Sequence, residues 1–333
     1  MPTMRDVAAR AGVSAKTVSR VFNNDPHVHP DTRTRVEEAL VELNYVPNTL
    51  ATTFRTGRAA VIGIAVPSLA DPFFATIVAA VDDEAKRHDH SSFVTSLGVD
   101  SAREPLLVET LLRRGLTGLV LAPISTDHRY LERWLHSVPT VFVDRPPVGI
   151  TVDSFTEDDA EGAYLATSHL IGHGHRRILF LGDDLSTTTT AGRLAGYRRA
   201  LEEHRIGYDG QLVMAGSTDN DSGELLGRVV RESAATAVFS SDARTSITSM
   251  PALKRLGTAL VCFGDFSMAD MLTPPVTVID QDPDTLGRLA TRRLFDRLAH
   301  PNRRLRRKTV LPVRLIERES GFHIPRGLIP VSA

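Results

Sequence analysis

The chain has a single cysteine among its 333 residues, which excludes an intrachain disulfide and any cysteine-built metal cluster. That residue, Cys262, falls in the apolar run TALVCFG, where a buried and inert thiol is expected. Long apolar runs are missing as well: nowhere do the roughly 18 consecutive apolar residues of a membrane-spanning helix occur. The opening MPTMRDVAARAG places charges where a secretory leader carries its apolar core, so a cytoplasmic protein without a membrane partner is expected. There is no Walker loop, no G-x-S-x-G elbow and no H-E-x-x-H pair, so neither an enzyme nor a cofactor is expected. Net charge is nearly absent too. The 39 Lys and Arg against 40 Asp and Glu leave −1, so the protein is not basic as a whole.

What is present begins with enough apolar sequence, 42%, for two or three domain-sized cores. Charge is unevenly spread: over residues 1–24, Arg5, Arg10, Lys16 and Arg20 stand against Asp6 alone. Thr3 and Asp6 have the spacing of a capping box, and Met4, Val7, Ala8 and Ala11 follow as the apolar stripe of a short helix. Gly12 tolerates the left-handed turn of a sharp helix exit. Ser14 can then cap a second helix whose inward residues are Val18, Val21 and Phe22. Two short helices about a glycine turn make a helix-turn-helix, whose second helix enters the major groove of DNA. Ala15, Lys16, Ser19 and Arg20 are then expected to face the base edges. Arginine's fork suits O6 and N7 of guanine, lysine does so less rigidly, and alanine's methyl can meet that of thymine. A solvated amphipathic helix fits the same spacing but gives no reason for small and basic residues to occur together.

The stretch HPDTRTRVEEALVELNYVP reads as a third helix, with Pro30 in its first turn, Val36, Ala39, Leu40 and Leu43 inward, and Pro47 closing it. Together, MRDVAARAGVSAKTVSRVFNN and TRTRVEEALVELNYVPN resemble the DNA-binding module of the lactose-repressor family of bacterial transcription regulators. The resemblance implies double-stranded operator DNA as a partner and a homodimer. It also implies a hinge helix after NYVPN that folds only on DNA and wedges an apolar side chain into the minor groove. Here that segment is NTLATTFRTGR, with Leu50, Ala51 and Phe54 at the apolar spacing. Phe54 stands where the family usually has leucine, and an aromatic wedge can still unstack a base step. Thr52, Thr53 and Gly57 are poor helix formers, which suits folding coupled to binding. Thr3, Arg5, Ser14, Thr17, Asn23 and His27 complete the candidate DNA-contacting set.

From residue 60 the pattern changes. AAVIGIAVP, SSFVTSL, GLVLAPI and TVFVD read as strands, separated by helical patterns at about 73 to 88, 103 to 114 and 128 to 136. RRILFLG, AATAVFSS, ALVCFG and VTVID repeat the theme. Unbroken Val/Ile/Leu runs alternating with helices imply parallel sheets covered on both faces. The expected fold is therefore an N-terminal all-α helix-turn-helix domain plus an α/β bilobed core of two doubly wound parallel sheets, which the resemblance likens to a periplasmic sugar-binding protein. The boundaries drawn are 1–47 for the helix-turn-helix domain, 48–59 for the hinge and 60–326 for the core, with 327–333 as a tail. Lobe 1 takes about 60–158 and 281–311; lobe 2 takes about 159–280 and 312–326.

Ligands of open α/β sheets bind beyond the carboxyl ends of the strands. Candidates there are Phe73 and Phe74, Asp144, Arg193, Ser241 with Asp242, Asp265 after Gly264, and Gln281. These groups suit a small polar effector such as a sugar or sugar derivative, though Phe73 and Phe74 are equally readable as core. The chain departs from the family at Ser241-Asp242, where Asn-Asp is common, and at Gly264-Asp265, where Asp-Asp is common. His169, His173 and His175 have metal-like spacing but sit in a Gly/His loop, and no metal is expected. NRRLRRK, residues 302–308, reads as a solvated loop. After Phe322 there is no heptad repeat, so a dimer is the expected limit of assembly. The functional expectation is a ligand-controlled repressor. The alternatives are an enzyme fused to a DNA-binding domain and a binding protein without regulatory DNA contact.

Overall fold

The computed structural model describes residues 3–22, 25, 27–43, 60–215, 222–301 and 303–322. Asn23, Leu50, Ala51, Phe54, the hinge of 48–59 and the tail of 327–333 lie outside the described residues. Residues 1–59 and 60–333 form two compact units.

In the first unit, α1 (Met4–Ala11), α2 (Ala15–Phe22) and α3 (Pro30–Glu42) surround one small core. Thr3 and Asp6 close the capping box, and Gly12, at φ 65°, ends α1. Ser14 Oγ accepts the Thr17 N–H at 3.1 Å and so starts α2. Val7, Ala8 and Ala11 from α1, Val18 and Val21 from α2, and Val36 and Ala39 from α3 bury together. Each helix is too short to persist alone in water, so this shared core is what holds the three together.

The second unit has two sheets of six strands. β1 (Val61–Val66), β2 (Ser91–Ser96), β3 (Gly118–Leu121), β4 (Thr140–Val143), β5 (Asp153–Glu157) and β11 (Lys308–Leu311) pair in the order β11-β5-β4-β3-β1-β2, all parallel. β6 (Ile178–Gly182), β7 (Val213–Ala215), β8 (Ala237–Ser240), β9 (Ala259–Phe263), β10 (Thr277–Asp280) and β12 (Arg314–Ile316) pair as β12-β10-β9-β8-β6-β7, with β12 antiparallel at the edge. Alternate residues of the central strands feed two cores. In the first lobe Ile62, Ile64, Val120 and Val141 pack under α4 (Pro72–Arg87) and α11 (Pro283–Ala299), while Leu119, Leu121 and Phe142 pack under α5 (Glu104–Leu112). In the second lobe α7 (Asp159–Gly172) and α8 (Thr188–Glu203) cover Phe180, Phe239 and Phe263; α9 (Ser222–Glu232) and α10 (Ala243–Leu256) cover Leu179, Val238 and Cys262. The chain crosses between lobes three times, after β5, after β10 and after β11.

Four strands carry no Val/Ile/Leu signature. β7 and β12 are three-residue edge strands and β11 is an edge strand open to solvent on alternate residues. β5, DSFTE, is buried throughout, and at its start the buried Asp153 has partners: it accepts from Arg293 Nη1 at 2.9 Å and from Arg297 Nε at 2.6 Å.

Candidate functional site

Lys16 and Arg20 are exposed on α2 and stand one turn apart. Arg20 Nε donates to Asp25 Oδ2 at 2.8 Å, and Asp25 Oδ1 accepts the His27 backbone N–H at 2.9 Å. Hydrogen bonds from Arg20 first, then from His27, hold the Asp25 carboxyl well below its ordinary range. The two smaller members of the expected base-facing set are less exposed. Ser19 is only 8% exposed, and Ala15, one turn before it, packs against the core. At i and i+4 the two share a face, and that face turns inward. The Ser14 and Thr17 hydroxyls pair at 2.9 Å within the α2 cap. Thr3, engaged with Asp6 at 2.7 Å, and Arg5 are exposed at the start of α1, and His27 is exposed beyond α2.

In the second unit the strand ends of both lobes meet around Arg193. This α8 residue, 6% exposed, donates Nε to Asp159 Oδ1 at 2.7 Å and Nη1 to the Ser241 carbonyl, and its guanidinium lies 3.9 Å from the Phe263 ring centroid. Asp144 follows β4 with φ 66°, a left-handed conformation rare for a side-chain-bearing residue, and its Oδ2 lies 3.3 Å from Arg145 Nε. Ser241 is fully buried, and Asp242 caps α10 by accepting the Thr245 N–H at 2.7 Å. Gly264 has φ 93°, and a Cβ there would come 2.9 Å from Gln281 Oε1, so the glycine leaves room for that buried amide.

Three expected residues are engaged within their own lobes. Phe73 and Phe74 lie edge-to-face, 5.0 Å apart, in the lobe 1 core, because they face inward on α4 under β1. Asp265 is gripped by Arg318, with Nη1 at 3.2 Å and Nη2 at 2.8 Å. Conversely, Asp71, Glu157, Asp159 and Asp183 belong to the cleft and carried no apolar or motif signal. They are acids at the ends of strands or the starts of helices, as in the run TEDD.

These acids share one electrostatic environment. Burial, reinforced by Asp242 and Asp144, pushes Asp71 up to about 6 against the pull of the Phe73 N–H. Burial likewise raises Asp159 to about 6, with Arg193 opposing. Asp144 and Asp242 are raised by burial, and Glu157 well above its ordinary value by burial, then Asp144 and Asp159. Away from the cleft, ligand atoms of His169, His173 and Glu317 lie within 4.8 Å of one another, while His175 turns to Thr236 at 2.9 Å.

A three-helix unit with an exposed basic second helix, followed by two doubly wound lobes facing one charged cleft, defines a DNA-binding regulator with a periplasmic-binding-protein-like ligand core. Residues 3–48 match the model of bacterial regulatory proteins of the lacI family, and residues 167–321 match the periplasmic binding protein-like domain. The ribose operon repressor of Haemophilus influenzae is 30% identical over 335 residues, covering 97% of this chain and 100% of the relative. The Lac repressor dimer bound to operator and the anti-inducer ONPF is 28% identical with TM-score 0.82, covering 96% of this chain and 99% of that one. A complex of the transcriptional regulator CelR with cellobiose is 30% identical with TM-score 0.69, covering 96% and 100%. The chain belongs to the lacI family of bacterial regulatory proteins.

Proposed function

We propose that the protein is a cytoplasmic transcriptional repressor, not an enzyme, whose affinity for operator DNA is set by a small polyhydroxylated effector in the interlobe cleft. The observation that carries this reading is the convergence of Arg193, Asp144, Asp159 and Ser241 from both lobes at one buried junction. A ligand held there contacts both lobes, so it binds one lobe arrangement better than another, and its effect on DNA is reciprocal. A relative named for the ribose operon and a neighbour in complex with cellobiose support a sugar-like effector. The operator-bound Lac repressor dimer supports a homodimer on a near-palindromic site. In this reading Lys16 and Arg20 of each subunit enter successive major-groove half-sites, and the effector releases the operator.

The test is a thermal-shift screen of sugars and nucleosides, followed by operator titration with each hit. A hit that stabilises the protein yet leaves operator affinity unchanged would remove the cleft from regulation. One that tightens operator binding would make the ligand a co-repressor. Arg20→Ala is expected to cost about 1 to 3 kcal/mol on the cognate operator and to relax specificity at one base pair. An equal loss on random DNA would make Arg20 a phosphate contact instead.

A further inference from the structure

The cleft holds more acidic side chains than its arginines answer. Asp71, Asp144, Glu157, Asp159, Asp183 and Asp242 form one linked set whose cationic members are Arg145, Arg193 and Arg244. Two of the three are already committed: Arg193 to Asp159 and the Ser241 carbonyl, Arg145 to Asp144 and the Pro123 carbonyl at 3.1 Å. Glu157 stands out within the set. It is 4% exposed, ends β5 where the chain first crosses between lobes, and neither of its carboxylate oxygens has a hydrogen-bond partner. Its charged neighbours are Asp144 from its own lobe and Asp159 and Arg193 from the other. Buried polar atoms in folded proteins almost always have partners, so an orphaned carboxylate between two lobes marks a place for a donor brought by something else.

Resting on the reading of this cleft as an effector site, we propose that the effector is cationic: a polyhydroxylated primary amine, of the amino sugar or aminocyclitol class, whose ammonium lies against the Glu157 carboxylate. An anionic ligand would add to the excess of carboxylates. A bare metal ion does not fit either, because the only group of three metal-ligating side chains found close enough together among the described residues is the His169, His173 and Glu317 set, away from the cleft. An ammonium with hydroxyl groups around it donates several hydrogen bonds over a wider span. It reaches Glu157 and Asp144, while the buried Gln281 amide and Ser241 hydroxyl offer partners for neutral groups.

Binding then carries a proton signature. Burial favours the neutral carboxyl in the empty cleft, and the ammonium favours the carboxylate, so binding the amine releases a proton to solvent and tightens as pH rises. The experiment compares glucosamine, galactosamine and mannosamine with glucose, galactose and mannose, each at about 10 mM, by thermal unfolding of wild type and Glu157→Gln. At least one amine is expected to raise the wild-type midpoint by several degrees where its hydroxyl counterpart does not. That advantage is expected to shrink at mildly acidic pH and to vanish in Glu157→Gln. Calorimetry of the wild type in buffers of different ionisation enthalpy is expected to show proton release, a readout independent of how the variant folds.

Equal or better binding of the neutral sugars, no binding by any amine, or amine binding without proton release overturns the inference. A neutral sugar that binds and releases the operator leaves the proposed function standing while this inference falls. An amine that binds with proton release but leaves operator affinity untouched does the reverse.

Discussion

Gly196→Ala is expected to destabilise the second unit by about 3 kcal/mol, with a drop of roughly 6 to 12 °C in its unfolding midpoint. The added Cβ would lie 2.0 Å from the Ala160 carbonyl oxygen and 2.9 Å from the Ala163 Cβ. The first obstacle is backbone, which cannot swing aside as a side-chain tip can, so α7 and α8 must move apart. At Gly192, one turn earlier, an added Cβ would lie 3.2 Å from the Asp159 Cβ. Arg193 follows it on the same helix, and its reach to Asp159 depends on that close approach. Whatever stability remains, the variant is therefore also expected to lose its response to effector. An unchanged midpoint in thermal unfolding would show that the two helices have slack the contact distances deny.

Asp153→Ala is expected to cost about 3 to 5 kcal/mol, because it strips the partner from two guanidinium groups that stay largely buried. Arg293 and Arg297 are 15% and 13% exposed, and the Asp153 carboxylate is 3% exposed. The same arginines donate to the Arg306 and Arg303 carbonyls, both at 2.7 Å, so they fasten the segment leading into β11. Urea unfolding should show the loss, and Asp153→Asn, which keeps one acceptor, should lose less. A change of under about 1 kcal/mol in the alanine variant would mean the arginines find water as readily as they found the carboxylate.

The sequence made legible whatever depends on apolar periodicity or cap chemistry. Thr3–Asp6, Gly12 and Ser14 define the helix-turn-helix by local rules, and seven of the eight expected strands have Val/Ile/Leu runs buried on both faces, while the eighth, β2, is an exposed edge strand legible only from its β-branched and aromatic residues. β5 escaped because the partners of its buried Asp153, Arg293 and Arg297, lie some 140 residues away, and β7, β11 and β12 because edge strands need no apolar run. The cleft was only partly legible. Asp144, Arg193, Ser241 and Asp242 come together, but Phe73 and Phe74 could be separated from the core only by knowing which face of α4 meets β1. Asp265 pairs with Arg318, 53 residues further on, a contact that no local spacing announces. Ser19 looked exposed by its polarity, yet its turn of α2 is shared with the inward Ala15. Glu157 and Asp159 carry no motif at all; only the folded chain shows that one has no partner and the other holds Arg193.

The threefold crossing of the chain between lobes governs the order in which the protein comes into being. Each sheet is completed by a strand from the end of the chain, β11 for one and β12 for the other. On a ribosome adding about 5 to 20 residues per second, the helix-turn-helix unit is out on the order of 15 to 50 s before either sheet can close. A message cut short anywhere between residues 43 and 308 yields a chain with its DNA-facing helices and neither finished lobe. The last strands of the chain thus decide, at each round of synthesis, whether the part that faces DNA arrives with a complete sensor attached.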